Sequence, residues 1–242
     1  MGLELYLDLL SQPCRSVYIF AKANSIQFDF KKVSLAEGQQ YGEEFSKINL
    51  LRKVPAMKDG DFTLAESIAI LLYLCRKYQT PDHWYPEDPL KRARVDEYLS
   101  WQHSAMRAHA AKIFWFRLMI PFITGEDVPT AKMDSAMEDL NNTLQLFEDK
   151  FLQDNPFIVG DEISLADVVA IVEIMQPLGS CLDVFEGRPK LAAWRDRVKD
   201  KIGPKLFDEA HKDILNAKNL PQTFEKNHML DFLKPKIYKL FS

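Results

Sequence analysis

The spacing of apolar residues in the first 80 positions switches repeatedly between a period of two and a period of 3.6. Residues 3–8 alternate apolar and polar side chains, which predicts a strand. Directly afterwards the spacing becomes i, i+3, i+4, i+7, which predicts one helix face formed by Cys14, Val17, Tyr18 and Ala21. Pro13 suits the first turn of that helix, because the N–H that it lacks would have no intrahelical partner.

The same alternation continues to about residue 80. Residues 26–33 predict a second strand, residues 38–49 one short irregular helix, and residues 66–78 an apolar helix. Residues 53–65 predict a hairpin with a tight turn at Asp59-Gly60. The predicted order is β-α-β-α-β-β-α, which describes an α/β domain over residues 1–80.

Beyond residue 80 the strand period disappears. Three prolines interrupt the segment around residues 81–88, which we interpret as a linker, and residues 89–242 predict an all-helical domain. One long proline-free helix is predicted from Leu90 to Ile120, and others over residues 131–153, 189–200 and 205–218. The nearly apolar segment 164–175 predicts a central buried helix that begins with a capping box of Ser164 and Asp167.

Composition narrows the class of protein. The chain has 242 residues, 47% of them hydrophobic and 27% charged, which indicates a globular protein. A net charge of −4 gives no reason to expect nucleic acid or a membrane surface as a partner. No apolar run is long enough to cross a membrane, the first residues lack signal-peptide features, and the three cysteines are few and scattered. We therefore expect a soluble cytoplasmic protein without a metal site.

Ser11 is the first candidate for chemistry, because it lies where a predicted strand meets a predicted helix. A serine nucleophile would need a nearby base, and no G-x-S-x-G motif surrounds Ser11. Thiol–disulfide exchange by Cys14 is disfavoured, because the redox motif needs its first thiol where Ser11 stands, and Cys14 falls on the apolar face. Two interpretations remain open: Ser11 caps the helix, or it donates a hydrogen bond to an anion bound at the helix N-terminus.

Several segments resemble one known family in the same order along the chain. They include "SQPCRSVYIFAK", "VPAMKDGDFTLAESIAILLYL", "RARVDEYLSWQH", "ISLADVVA" and "FEGRPKLAAWR", and the similarity extends from residue 1 to about 215. On these segments the chain resembles a cytosolic glutathione transferase of the theta class. The resemblance implies a thioredoxin-like N-terminal domain, an all-helical C-terminal domain and a homodimer. It also implies glutathione as a co-substrate, with no further cofactor, and a pocket for a small hydrophobic electrophile between the domains.

The resemblance also implies roles for individual residues. Ser11 matches the serine that stabilises the glutathione thiolate, so the anion-donor interpretation becomes the preferred one. Glu66 and Ser67 match the positions that hold the γ-glutamyl end of glutathione. Val54, Lys53 and a cis Pro55 match the positions near its cysteinyl and glycyl parts. Ser104 and Arg107 lie on the helix that the class brings near the site, and Arg107 also suits stabilisation of the thiolate.

Two features of the sequence leave the implied site open. The class often has histidine where Gln40 stands, and glutamine donates a hydrogen bond without carrying charge. The class also folds a C-terminal extension over the site, so Phe232 is a candidate cover, although "FLKPKIYKLF" equally predicts an amphipathic surface helix. Trp115, within "KIFWFRLMIPF", is the candidate for the wall of the electrophile pocket.

The implied activity is addition of glutathione to alkyl and arylalkyl halides, epoxides and organic peroxides, with peroxidase activity as a side reaction. The alternative is a glutathione-transferase-like fold that serves as a non-catalytic binding or assembly module.

Overall fold

The N-terminal part folds as a four-stranded mixed sheet with helices. A computed structural model of the chain describes residues 2–220 and Lys234. The strands are β1 (Leu3–Leu7), β2 (Asp29–Lys32), β3 (Ala56–Asp59) and β4 (Phe62–Ala65), in the order β2-β1-β3-β4. β1 pairs parallel with β2 and antiparallel with β3, and β3 pairs antiparallel with β4. Helices α1 (Gln12–Ala23), α2 (Glu43–Ser46) and α3 (Ser67–Tyr78) complete the predicted β-α-β-α-β-β-α order.

Alternation of side chains explains β1. Leu3, Leu5 and Leu7 are buried, while the residues between them are partly exposed. The hairpin turns at Gly60, whose φ of 61° favours glycine. Two predicted elements differ in extent: the second strand is limited to Asp29–Lys32, and residues 38–49 form a 3-10 turn (Gln39–Tyr41) followed by α2.

The C-terminal part is helical. Its helices are α4 (Pro89–Ser104), α5 (Met106–Phe114), α6 (Ile120–Thr124), α7 (Thr130–Leu146), α8 (Leu165–Ile174), α9 (Pro189–Ile202) and α10 (Pro204–Leu215). Single π-helical turns extend α5 over Trp115–Met119 and α7 over Phe147–Leu152, and a 3-10 turn spans Gln176–Ser180. The boundaries of the two domains and the linker at residues 81–88 stay predictions, although a 3-10 turn at Asp82–Trp84 separates α3 from α4.

The prediction of one long helix from Leu90 to Ile120 is wrong. The helix breaks at Ala105, whose φ of −112° and ψ of −84° lie outside the helical region, so α4 ends at Ser104 and α5 begins at Met106. The absence of proline removes one cause of a break, but it does not guarantee a continuous helix. After the break α5 contacts α7, α8 and the Gln176–Ser180 turn.

Helix α8 is the centre of the helical part, as its apolar sequence predicts. All ten of its residues are buried, and the capping box of Ser164 and Asp167 is formed. The helix also contacts α1, so the sheet-containing part and the helical part share one hydrophobic core. In the described part of the chain, no helix is both long enough and apolar enough to span a membrane.

Candidate functional site

A cavity of about 430 Å³ lies between the two parts of the molecule. We name it the polar cavity. Both parts contribute to its wall: the first turn of α1, the segment before β3 and the first turn of α3 from one side, and α5 from the other. Eight of the residues predicted from the sequence line it: Ser11, Gln40, Lys53, Val54, Pro55, Glu66, Ser67 and Arg107.

Two helix N-termini meet this cavity. Ser11 and Gln12 stand at the start of α1, and Glu66 and Ser67 stand at the start of α3. The first N–H groups of a helix lack intrahelical acceptors and carry a partial positive charge, so both termini favour negatively charged ligand groups. Arg52, Lys53 and Arg107 add positive charge to the wall.

Two residues in this wall have unusual backbone geometry. Glu66 has a φ of 68°, which is unfavourable for a non-glycine residue and typically costs about 1–3 kcal/mol. Its carboxylate provides negative charge beside Ser67, so this end of the cavity suits a ligand that carries both an ammonium and a carboxylate. The Val54-Pro55 bond is cis, as the resemblance implies.

Ser11 occupies the cap position of α1 but does not cap it. Its φ of −83° and ψ of 125° are typical of that position, yet its side chain makes no hydrogen bond to the α1 backbone. This observation contradicts the interpretation of Ser11 as a local cap. Ser11 is instead half-buried and lines the polar cavity.

Cys14 is unreactive, as its position on the apolar face predicts. It is fully buried, and burial raises the pKa of its thiol to about 12, although the hydrogen bond from Ser11 opposes that rise. A thiol with such a pKa is not ionised near neutral pH, so Cys14 is a structural residue.

A second cavity of about 270 Å³ adjoins the first, and we name it the apolar cavity. About half of its wall comes from the helical part, chiefly Phe114, Trp115 and Met119 at and after the end of α5, and the rest comes from the sheet-containing part, including Leu10. Trp115 therefore lies where the sequence places an apolar pocket wall, and it is partly exposed. Ser11 and Gln40 line both cavities, so the Ser11 hydroxyl lies where polar and apolar surroundings meet.

Arg107 is held by a buried carboxylate that sequence reasoning did not find. Its Nε donates to Oε1 of Glu173 on α8 at 3.1 Å, and Glu173 is almost completely buried. Burial raises the pKa of the Glu173 carboxyl to about 7, although Arg107 and Arg15 oppose that rise. Arg107 is therefore a partly buried, ion-paired residue of the cavity wall.

Gln40 lies deep in the wall. Its side chain is buried, and its Oε1 has no hydrogen-bond partner among the described residues. Because a buried unpaired amide oxygen is unfavourable, a ligand or water that donates a hydrogen bond there would be stabilised. The sequence had suggested Gln40 only as a donor, and the structure adds this acceptor.

One predicted residue, Ser104, lines neither cavity. It ends α4 and is exposed, and its neighbour His103 lines the polar cavity instead. Phe232 lies outside the described residues, as does all of the predicted cover except Lys234. Their roles stay predictions.

Further residues that the sequence did not indicate line the polar cavity or lie behind its wall. Gln12, Asn49, Arg52 and His103 line the polar cavity. Arg15 is fully buried behind Ser11. The available signal for Arg15 was its place in "QPCRSV", between Cys14 and Val17 of the apolar helix face.

Comparison with known proteins agrees with this arrangement. Residues 5–76 match the family described as "Glutathione S-transferase, N-terminal domain", and residues 106–200 match "Glutathione S-transferase, C-terminal domain". The chain is 57% identical to human "Glutathione S-transferase theta-1" over 221 residues, which cover 91% of this chain and 92% of the relative. It is 56% identical to mouse "Glutathione S-transferase theta-3" with the same two coverages.

Solved structures give the same result. The apo form of human glutathione-S-transferase T1-1 superposes with a TM-score of 0.90 at 51% identity, covering 100% of both chains. A human theta-class glutathione transferase in complex with the glutathione conjugate of 1-menaphthyl sulfate superposes with a TM-score of 0.87 at 50% identity, covering 93% of this chain and 91% of that chain. Matches to both family domains and to full-length theta-class relatives lead to one conclusion: the chain belongs to the glutathione S-transferase family, in its theta class.

Proposed function

We propose that the protein binds glutathione in the polar cavity and transfers its thiolate to a small electrophile bound in the apolar cavity. The observation that carries this proposal is the placement of Ser11, which lines both cavities at the N-terminus of α1. A nucleophilic sulfur held at Ser11 would have the polar part of its peptide on one side and the electrophile on the other.

The groups of glutathione fit the charges on the wall. Its γ-glutamyl end carries an ammonium and a carboxylate, which suit Glu66 and the N-terminus of α3 at Ser67. Its glycine carboxylate suits Lys53 and the amide of Gln40, while the backbone of Val54 suits the cysteinyl part. All of these residues line one cavity, which supports their assignment as the glutathione site.

The role of Ser11 is to favour the thiolate over the thiol. A thiol with a pKa near 8.5 is only a few per cent ionised at pH 7. A fall of about two units makes it mostly thiolate and requires about 2.7 kcal/mol. A hydrogen bond to a charged group contributes roughly 1.5–3 kcal/mol, and a helix N-terminus adds up to about 1–2. Ser11 and α1 can therefore supply the shift, and Ser11 keeps its proton throughout.

Arg107 is proposed to assist, because its guanidinium lines the same cavity. Its charge is partly offset by Glu173, so the net effect on the sulfur is smaller than that of a free cation.

The proposed chemical step is displacement or addition. The sulfur forms a bond to the electrophilic carbon, and the halide leaves or the epoxide oxygen accepts a proton from water. With an organic peroxide, the sulfur attacks the terminal oxygen, the O–O bond breaks and the alcohol leaves, which oxidises glutathione to its sulfenic acid. A second glutathione then reduces the sulfenic acid to glutathione disulfide and water, which completes the proposed peroxidase side activity.

Ser11→Ala tests the proposal. The pKa of bound glutathione, followed by the ultraviolet absorbance of its thiolate, should rise by about one unit or more, and kcat should fall far more than the affinity for glutathione. An unchanged pKa would remove Ser11 from the mechanism. If the wild-type protein binds glutathione but converts none of the halides, epoxides and peroxides, the alternative of a non-catalytic binding module is favoured.

A homodimer in the cytoplasm completes the proposal. The family resemblance supports it, and light scattering should give twice the chain mass of 28.0 kDa. A mass of one chain would contradict it.

A further inference from the structure

Arg15 is a charged residue that is completely buried, and its burial requires an explanation. It lies one helical turn after Ser11 on α1, and none of its surface is exposed. Arginine is almost never fully buried unless its hydrogen-bond donors are paired. Burial lowers the pKa of Arg15 to about 10, with Glu173 opposing, so the guanidinium remains charged at neutral pH.

The partners of Arg15 lie on both sides of the domain boundary. Its Nη1 donates to the carbonyl oxygens of Leu9 at 2.9 Å and Leu10 at 3.1 Å, the two residues that precede Ser11. Its Nη2 donates to the carbonyl oxygen of Val172 at 2.8 Å and to Oε1 of Gln176 at 2.6 Å. One guanidinium thus joins the segment before Ser11 to the end of α8 and the turn that follows it.

The same segment is fixed from the other side by Asp8. The Asp8 carboxylate, itself buried, accepts hydrogen bonds from the N–H groups of Leu10 and Leu35. The Ser11 N–H donates to the Asp8 carbonyl oxygen at 3.0 Å. The backbone of residues 8–11 therefore has anchors on two sides, and Arg15 is the anchor that reaches the helical part.

The position of this backbone matters because Ser11 acts by a hydrogen bond. A hydroxyl stabilises a thiolate within a narrow range of distance and angle, and a misplacement of about 1 Å can cost roughly 100-fold in rate. The helical part supplies about half of the residues that line the apolar cavity, among them Phe114 and Trp115, whereas Ser11 belongs to the sheet-containing part. A rigid connection between the two parts next to Ser11 would hold the glutathione sulfur and the electrophile at a fixed distance and orientation.

We propose that Arg15 is a positioning residue, which fixes the backbone of residues 9–11 against α8 and so sets the place of the Ser11 hydroxyl. The proposal rests on the proposed role of Ser11 in stabilising the thiolate. Arg15 contacts neither cavity, so it acts through Ser11 and not on glutathione.

Arg15→Lys separates position from charge. Lysine keeps the positive charge, but a single ammonium cannot reach both pairs of acceptors that the planar guanidinium joins. We expect the pKa of bound glutathione to rise by about half a unit to one unit, and kcat to fall about 10-fold. KM for glutathione should change less than about 2-fold, because Arg15 touches none of the residues that bind its peptide part. If Arg15 acted by its charge alone, the substitution would leave the thiol pKa unchanged, and that result would overturn the proposal.

A double-mutant cycle with Ser11→Ala tests whether Arg15 acts through Ser11. In the Ser11→Ala background, Arg15→Lys should lower kcat by less than about 2-fold, because the hydroxyl that it positions is gone. Equal effects of Arg15→Lys in both backgrounds would contradict the proposal. If Ser11→Ala itself leaves the thiol pKa unchanged, the proposed function of Ser11 fails. If Ser11→Ala raises the pKa and Arg15→Lys does not, only the role of Arg15 fails.

Arg188→Lys is the matched control. Arg188 bonds Glu148 at 3.0 Å and Asn141 at 3.4 Å within the helical part, and it lines neither cavity. The Arg188→Lys substitution should lower the stability of the protein and leave the pKa of bound glutathione unchanged.

If Arg15→Lys does not fold, Gln176→Met takes its place. This change removes one acceptor of Arg15 on the helical side and keeps the arginine. Because Gln176 also lines the apolar cavity, the test uses only the thiol pKa and not the rate with an electrophile. The thiol pKa, measured without an electrophile, should rise by a few tenths of a unit. An unchanged value would overturn the claim that the helical part sets the place of Ser11.

Discussion

Replacing Asp167 by alanine should destabilise the protein well beyond the loss of a helix cap. Asp167 is fully buried, and its carboxylate accepts four hydrogen bonds: from Ile158 N, Ser164 N, Ser164 Oγ and Trp194 Nε1, at 2.9–3.0 Å. The capping bond alone predicts a loss of about 1 kcal/mol, up to about 2. The contacts to Ile158 and Trp194 join the cap to a loop and to α9, and they cannot be anticipated from the capping motif.

The hydrogen bonds of Asp167 determine how much stability the alanine variant should lose. The alanine variant leaves three buried N–H donors without an acceptor, while the Ser164 hydroxyl can rotate toward another one. Each unsatisfied donor costs about 1–3 kcal/mol, and water entering the vacated space reduces the sum. We therefore expect a loss of about 3–5 kcal/mol, which corresponds to a fall in Tm of roughly 6–20 °C for a chain of this size.

Thermal unfolding followed by circular dichroism and by tryptophan fluorescence measures this loss. Asp208→Ala is the control, because Asp208 is exposed and pairs only with Lys199 among the described residues, so its removal should cost less than about 0.5 kcal/mol. The activity of the folded fraction should not change. A loss of less than about 1 kcal/mol for Asp167→Ala would refute the reasoning, since it would mean that the other donors find new partners at no cost.

Three further predictions concern the site and the core. Gln40→His should lower KM for glutathione a few-fold, which corresponds to less than about 1.4 kcal/mol of binding free energy, and leave kcat unchanged. The decrease in KM should become larger toward pH 6, where the imidazole is protonated. Ser11→Cys should form no disulfide with the buried Cys14, which mass spectrometry can establish. Burial lowers the pKa of His211 to about 3, so the folded state loses stability as pH falls from about 6.5 toward 3. His211→Asn should remove that dependence, which is about 1.6 kcal/mol between pH 6.5 and 5.

Each of these predictions has a clear contrary outcome. A changed kcat with a constant KM would mean that residue 40 does not contact the glycine carboxylate. A disulfide in Ser11→Cys would show that Cys14 becomes accessible. If wild type and His211→Asn lose the same stability between pH 6.5 and 5, measured as Tm, then another group governs the acid sensitivity.

The sequence by itself determined the features that depend on neighbours along the chain. The change of period after residue 8 located the junction between β1 and α1, and with it Ser11. The same periodicity placed Cys14 on the buried face, and the capping box marked the start of α8. These features are local, because a helix face and a cap are fixed by residues three or four positions apart. The identity of the candidate glutathione contacts came from family resemblance and not from periodicity.

Tertiary structure decided everything that joins distant segments. The break at Ala105 is invisible in the apolar pattern, and beyond it α5 packs against α7 and α8. The pair of Arg107 with Glu173 and the contacts of Arg15 with Val172 connect residues far apart in sequence. No local pattern predicts such contacts, since an arginine on a helix is usually solvated. Folding alone brings α1 against α8, and in doing so it buries Arg15 and places Ser11 between a polar and an apolar cavity.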